Sequence, residues 1–135
     1  MINIDDIFKI SDSMCFKDLA LKIYDFQYKN NRVYKEFCNL IYKNPAKINE
    51  LNEIPFLPIS FFKTKKILST NNYEKVFYSS GTSQKIRSKH YISRIELYEK
   101  SFLKNFIHNY GKPEEYNIIG LLPNYLENSN SSLIY

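Results

Sequence analysis

The sequence predicts an α/β chain: an N-terminal helical hairpin followed by an incomplete, partly parallel sheet with flanking helices. Three observations carry this. Between residues 16 and 42 apolar side chains recur at three-to-four spacing, the period of an amphipathic helix. After residue 54 the pattern changes to short apolar runs bounded by Pro, Asn and Ser, as strands and their turns require. The apolar run at 117–122, which follows a long helical stretch, reads as a buried parallel strand. The chain therefore divides into a helical region, residues 1–53, and the start of an α/β region, residues 54–135.

Taken in order, Ile2, Ile4, Ile7, Phe8 and Ile10 suggest a short lead-in helix that turns at Ser11 or Asp12. A helix over 16–28 carries Leu19, Ala20, Ile23 and Phe26 on one face, with Lys22 and Asp25 between them. Asn30 and Asn31 mark a turn. A second helix over 31–42 places Val33, Tyr34, Phe37, Cys38 and Ile41 in one stripe, and Asn44-Pro45 stops it. The two helices are expected to pack antiparallel, with the aromatic stripe as core. Residues 44–55 form a polar connector with a helical turn near 46–51. Pro55 and Pro58 hold 54–59 extended, because proline fixes its own φ and biases its predecessor away from helix. Phe56, Leu57, Phe61 and Phe62 anchor that segment.

Strands are expected at 66–70 and 74–79, with Asn71-Asn72 turning between them, and at 89–92. Ser93 is placed to cap the following helix, with Glu96 at the capping-box position. Leu97, Phe102, Phe106 and Ile107 line that helix, and Gly111 and Pro113 end it. A loop follows the 117–122 strand. Residues 131–135 open a further element without completing it, so the expectation is a truncated chain.

Composition excludes several classes. With 44% hydrophobic and 24% charged residues over 135 positions, the chain can bury a real core and is not a disordered tail. The net charge of +5 suits an anionic ligand. Its lysines are spread along the chain, and no zinc-finger, basic-zipper or RNA-recognition pattern is present, so nucleic acid is not the expected partner. No apolar run approaches the ~18 residues of a membrane span. Asp5 and Asp6 stand where a signal peptide would be basic, and a cytoplasmic location is expected. Cys15 and Cys38 show no metal-binding spacing; Cys38 reads as a small buried hydrophobe.

The candidate site is the stretch Phe77-Tyr78-Ser79-Ser80-Gly81-Thr82-Ser83-Gln84-Lys85. A strand-like approach enters five small residues, and the cations Lys85, Arg87 and Lys89 follow. Gly81 can take φ > 0 without steric cost, and consecutive amides in such a turn form a concave nest for an anion. Hydroxyls and cations add donors, each charge-assisted bond contributing roughly 1.5–3 kcal/mol. A nucleotide triphosphate tail fits this chemistry; a polar hairpin with solvated lysines is the alternative. The spelling is neither a Walker A loop nor G-x-G-x-x-G.

This stretch resembles the Ser/Thr-rich phosphate loop of adenylate-forming enzymes, the acyl-CoA synthetase superfamily. Ile54-Pro55-Phe56-Leu57-Pro58-Ile59-Ser60-Phe61-Phe62-Lys63-Thr64 upstream, with Ser88-Lys89-His90-Tyr91, Leu97-Tyr98-Glu99-Lys100-Ser101-Phe102 and Leu121-Leu122-Pro123-Asn124-Tyr125-Leu126-Glu127 downstream, narrows it. Together they resemble the N-terminal part of LuxE-like acyl-protein synthetases, relatives of phenylacetate–CoA ligase. The resemblance implies that residues 54–135 begin the large domain of an adenylate-forming enzyme. It implies ATP, with Mg²⁺ in a full-length enzyme, and an acyl-adenylate formed from a carboxylic or fatty acid. The acyl group would pass to an acceptor protein or to CoA. On this reading Ser79, Ser80, Gly81, Thr82, Ser83 and Arg87 bind the ATP phosphates, while Lys85 and His90 are candidates to line the pocket. No metal ligand and no catalytic base is identified in the chain. Two positions depart from the family pattern: Gln84 replaces the second glycine, and Arg87 replaces the usual lysine, although arginine still binds phosphate bidentately. The adenine pocket, the Mg²⁺ carboxylate and the mobile C-terminal domain are not found, so the 135-residue chain is expected to be inactive alone. Alternatives are a carboxylate–CoA ligase of the phenylacetate type and a non-catalytic stand-alone binding or interaction module.

Overall fold

The computed structural model describes residues 2–79, 86–120 and 130–135, which form two compact units, Met1–Asn71 and Asn72–Tyr135. The first is built on a helical hairpin. After a 3-10 turn, Ile4–Phe8, helix α1 runs over Ser13–Asn30 and helix α2 over Arg32–Leu40. Asp12 starts α1 by accepting the Cys15 N–H at 2.8 Å. Asn31 is the whole of the connection to α2. Its main-chain N–H closes α1 onto the Gln27 carbonyl at 2.8 Å, and its buried Oδ1 accepts the Tyr34 N–H at 3.1 Å to open α2.

The end of α2 has its own local cause. The Lys43 N–H reaches back to the Cys38 carbonyl and the Tyr42 N–H to the Asn39 carbonyl, the hydrogen-bond pattern of a Schellman motif. That pattern needs a left-handed residue, and Tyr42 supplies it at φ 56°, a conformation that costs a non-glycine residue roughly 1–2 kcal/mol. The helix therefore stops before Asn44-Pro45, where the sequence placed its end.

The core of this unit is Tyr34 and Cys38 of the stripe expected on α2 meeting Tyr24 of α1, whereas Ile41 of that stripe and Phe26 of the face expected on α1 are exposed. Tyr24, Tyr34, Cys38 and Ile48 are buried together, with Leu21, Tyr28, Phe37, Ile54 and Leu57 packed around them. The Tyr24 and Tyr34 rings meet edge to face at 6.0 Å, the arrangement aromatic quadrupoles favour. Buried tyrosines need partners for their hydroxyls. Tyr34 donates to the Pro55 carbonyl at 2.6 Å and Tyr24 to the Lys43 carbonyl at 3.2 Å. Two 3-10 turns, Pro45–Lys47 and Leu51–Glu53, make the connector, and the short helix α3, Phe61–Thr64, sets Phe61 edge-on to Phe37 at 5.9 Å. The stretch 54–71, read from sequence as part of the α/β region, thus packs with the helical hairpin.

Residues 66–70 are not a strand, contrary to expectation. Ile67 and Leu68 are half-buried in the helical unit, and the Ser69 Oγ donates to the Gln27 Oε1 on α1, so the segment's partners lie on a helix.

The second unit is a β-hairpin carrying a helix. Strand β1, Lys75–Tyr78, pairs antiparallel with strand β2, Lys89–Ile92, in the register Lys75 to Ile92, Val76 to Tyr91, Phe77 to His90 and Tyr78 to Lys89. Because side chains alternate across a strand, Phe77 and His90 share one face, and Val76 and Tyr91 share the other. Phe77 is buried against the Tyr98 ring of helix α4 at 5.1 Å, and Tyr91 meets Tyr73 on the opposite face at 5.0 Å. Helix α4 spans Ile95–Tyr110 and ends at Gly111, whose φ of 92° is open to glycine without strain.

The start of α4 differs from the sequence expectation. Arg94, not Ser93, occupies the cap position, and no side chain local to it makes the capping bond. The Glu74 carboxylate supplies that bond from across the hairpin, accepting the Ile95 N–H at 2.7 Å. Glu96 instead faces Arg94 at 3.7 Å. Of the expected buried strand at 117–122, residues 117–120 are described; they are exposed and unpaired in any sheet, and the rest lies outside the described residues. The described sheet is the antiparallel pair alone. Among the described residues no helix is long and apolar enough to cross a membrane.

Candidate functional site at the hairpin end

The sequence-predicted site lies where β1 leaves the sheet and β2 enters it. Ser79 directly follows β1, and Ser88 directly precedes β2. They bond to one another twice: the Ser79 N–H donates to the Ser88 carbonyl at 3.1 Å, and the Ser88 N–H donates to the Ser79 Oγ at 3.0 Å. Ser88 is 5% exposed, so this pair of hydrogen bonds sits in a partly dry setting, where water competes with it less. The two ends of the segment between them are thereby held together. The Ser79 main-chain amide is committed to Ser88, which leaves the hydroxyl proton as the donor Ser79 can offer a ligand.

Of the other named residues, Ser80, Gly81, Thr82, Ser83 and Lys85 lie outside the described residues. Arg87 is exposed immediately beside Ser88, and Lys89 is exposed at the start of β2, so cationic groups stand at this end of the hairpin. His90 is only partly buried and stands opposite Phe77, on the face that α4 covers. Strand alternation puts it on the opposite face from Lys89. The geometry brings Ser79, Ser88 and Arg87 to one end of the hairpin and sets His90 further along β2.

Sequence reasoning missed three contributors. Ser88 enters the sequence reading only as the opening of a family segment, although its place one residue before a period-2 run marks it as a strand-entry residue. Asn130 accepts the Tyr78 N–H at 2.9 Å on the edge of β1 away from β2. Glu74 fixes α4 to the same hairpin. The latter two act over 52 and 21 positions, from 130 less 78 and 95 less 74, and no local signal announces them.

The first unit offers a different surface, an apolar groove of about 540 Å³ lined by residues including Phe16, Ile23, Ile54, Leu57 and Phe62. Its neighbour Cys38 is fully buried, and burial pushes the thiol pKa up, which opposes thiolate formation and nucleophilic chemistry. Cys15 is exposed, and its Sγ donates to Asp12 Oδ2 at 3.3 Å. Among the described residues no group of three or more His, Cys, Asp or Glu could hold a metal ion.

Against known proteins, the family described as acyl-protein synthetase, LuxE, matches residues 6–100, which span the helical hairpin, the β-hairpin and the start of α4. The chain belongs to the LuxE acyl-protein synthetase family. It is similar to a long-chain-fatty-acid–luciferin-component ligase of Vibrio harveyi, 39% identical over 62 residues, which is 44% of this chain and 16% of that protein. It is also similar to a protein of the same description from Photorhabdus luminescens, 35% identical over 69 residues, covering 50% of this chain and 59% of that one. The matched part thus spans under two thirds of either relative. No solved structure matches the chain.

Proposed function

We propose that this LuxE-family chain contributes the triphosphate-binding hairpin of an ATP-dependent acyl-activating enzyme whose substrate is a long-chain fatty acid and whose acyl acceptor is a protein or CoA. The observation that carries the reading is the pair of hydrogen bonds between Ser79 and Ser88. It lies within the family match and gathers the ends of a segment rich in Ser, Thr and Gly beside exposed Arg87 and Lys89. The fatty acid is suggested by the relatives' description as ligases of long-chain fatty acids.

The described residues fit a phosphate group. The Ser79 hydroxyl is a donor, Arg87 offers a planar fork matched to phosphate oxygens, and the fixed ends reduce the ordering cost on binding. In this reading Ser80, Gly81, Thr82 and Ser83 present amides and hydroxyls to the β- and γ-phosphates, and Lys85 adds charge. The reaction class is adenylation: a carboxylate oxygen bonds to the α-phosphorus while the bond from that phosphorus to the pyrophosphate oxygen breaks. These residues stabilise the negative charge that moves onto pyrophosphate, and they hold the tail in line. Mg²⁺ accompanying ATP would be held by phosphate oxygens. The fold that goes with this reading is the beginning of an adenylate-forming large domain.

Titration of the purified chain with ATP and with AMP tests it. ATP should bind, and Gly81→Val should weaken ATP by about tenfold or more while leaving AMP unchanged, because a branched side chain closes the approach to the main chain. Equal ATP affinity in the variant would remove the segment from nucleotide binding. ATP–pyrophosphate exchange with a panel of fatty acids should be absent for the 135-residue chain alone.

A further inference from the structure

Residues 130–135 lie across the hairpin at the point where β1 delivers Ser79. The Asn130 carbonyl accepts the Tyr78 N–H at 2.9 Å, one residue before the tie to Ser88. The Ser132 carbonyl accepts the Tyr98 hydroxyl at 3.2 Å, which fixes the segment to α4. At its far end Tyr135 is held on three sides. Its ring packs on Phe77 at 5.5 Å, the Lys75 ammonium stands 4.4 Å from its ring centroid, and its hydroxyl donates to Glu99 Oε1 at 2.6 Å. Phe77, 2% exposed, is therefore enclosed between Tyr98 and Tyr135.

We propose that residues 130–135 act as a strap that fixes the exit of β1, with Tyr135 as a positioning residue for Ser79 at that exit. The physical case rests on where the free energy resides. A two-stranded hairpin is marginal by itself, and the β1 edge away from β2 is secured at Tyr78 by Asn130. The Lys75 cation over the Tyr135 ring and the Tyr135 hydroxyl bond to Glu99 both act on a six-residue segment. Loss of the Tyr135 ring, which packs on Phe77 and lies under Lys75, loosens Asn130 from Tyr78, and β1 frays from its Ser79 end. The affinity part of this proposal rests on the nucleotide reading above; the fraying part does not.

The experiment compares the wild-type chain with Tyr135→Ala and Tyr135→Phe by residue-resolved hydrogen exchange without ligand, then by ATP titration. In Tyr135→Ala the Tyr78 and Ser79 amides should exchange tenfold or more faster, while amides in the middle of α4 keep their protection. ATP affinity should fall by about tenfold, and Tyr135→Phe, which keeps the ring on Phe77 and under Lys75, should recover most of both effects. Protection lost uniformly through the second unit, or Tyr78 and Ser79 unchanged, overturns the strap. Faster exchange with unaltered ATP affinity overturns its positioning role. A wild-type chain that shows the exchange pattern but binds no ATP leaves the strap standing and defeats the nucleotide reading.

Discussion

Two tyrosines show how one side chain couples the core to solution conditions. Tyr24 and Tyr34 place their rings in the core of the first unit and their hydroxyls on backbone carbonyls. Burial disfavours the phenolate, with the nearby Cys38 adding to the effect, so the Tyr24 pKa is pushed up to about 12 and that of Tyr34 is raised as well. The unfolded chain loses these protons from about pH 10, whereas the folded chain holds them, so stability is complete below pH 10 and declines as pH rises toward 12. Urea midpoints measured between pH 9 and 12 should fall in the wild type and fall less steeply in Tyr24→Phe. Parallel curves would show that Tyr24 ionises as readily in the folded core as outside it.

At the scale of elements, the helical hairpin was legible because each cause is local. Residues such as Tyr34 and Cys38 sit four apart, a period that only a helix turns into one face, and Asn31 carries its capping chemistry in its own side chain. The strand at 75–78 and the one at 89–92 were legible for the same reason. What escaped was the choice of partner. The run at 66–70 has strand composition, yet Ser69 bonds to Gln27, 42 positions earlier. The Ser93 capping box has the right spelling, yet Glu74 occupies the helix start instead. Glu74→Ala should therefore destabilise the second unit by about 1 kcal/mol, the usual value of a lost cap, whereas Ser93→Ala should have no capping effect. Thermal melts of the two variants distinguish the assignments, and a larger loss in Ser93→Ala would restore the local cap.

For the molecule as a whole, the chemistry at the hairpin end was read from residue types, while its scaffold was not. The small residues and cations from Ser79 to Arg87 suggest an anion from composition alone. The tie between Ser79 and Ser88, and the support from Asn130, exist only once the chain is folded. The net charge of +5 acts on the proposed ligand independently of these contacts. Raising salt from about 0.1 M to 1 M shortens the screening length from about 10 Å to about 3 Å, so ATP binding should weaken severalfold across that range. An affinity indifferent to salt would mean that neutral contacts dominate.

The single-residue corner at Asn31 has a consequence for the first unit. With one residue ending α1 and opening α2, the corner works as a phase gauge: it dictates which rotational setting of α2 meets α1. Each residue added to or removed from such a junction turns the following helix by about 100°. That would carry Tyr34 and Cys38 off the interface and bring charged neighbours such as Lys35 and Glu36 onto it. A length change at this corner is therefore expected to be more damaging than most substitutions within it.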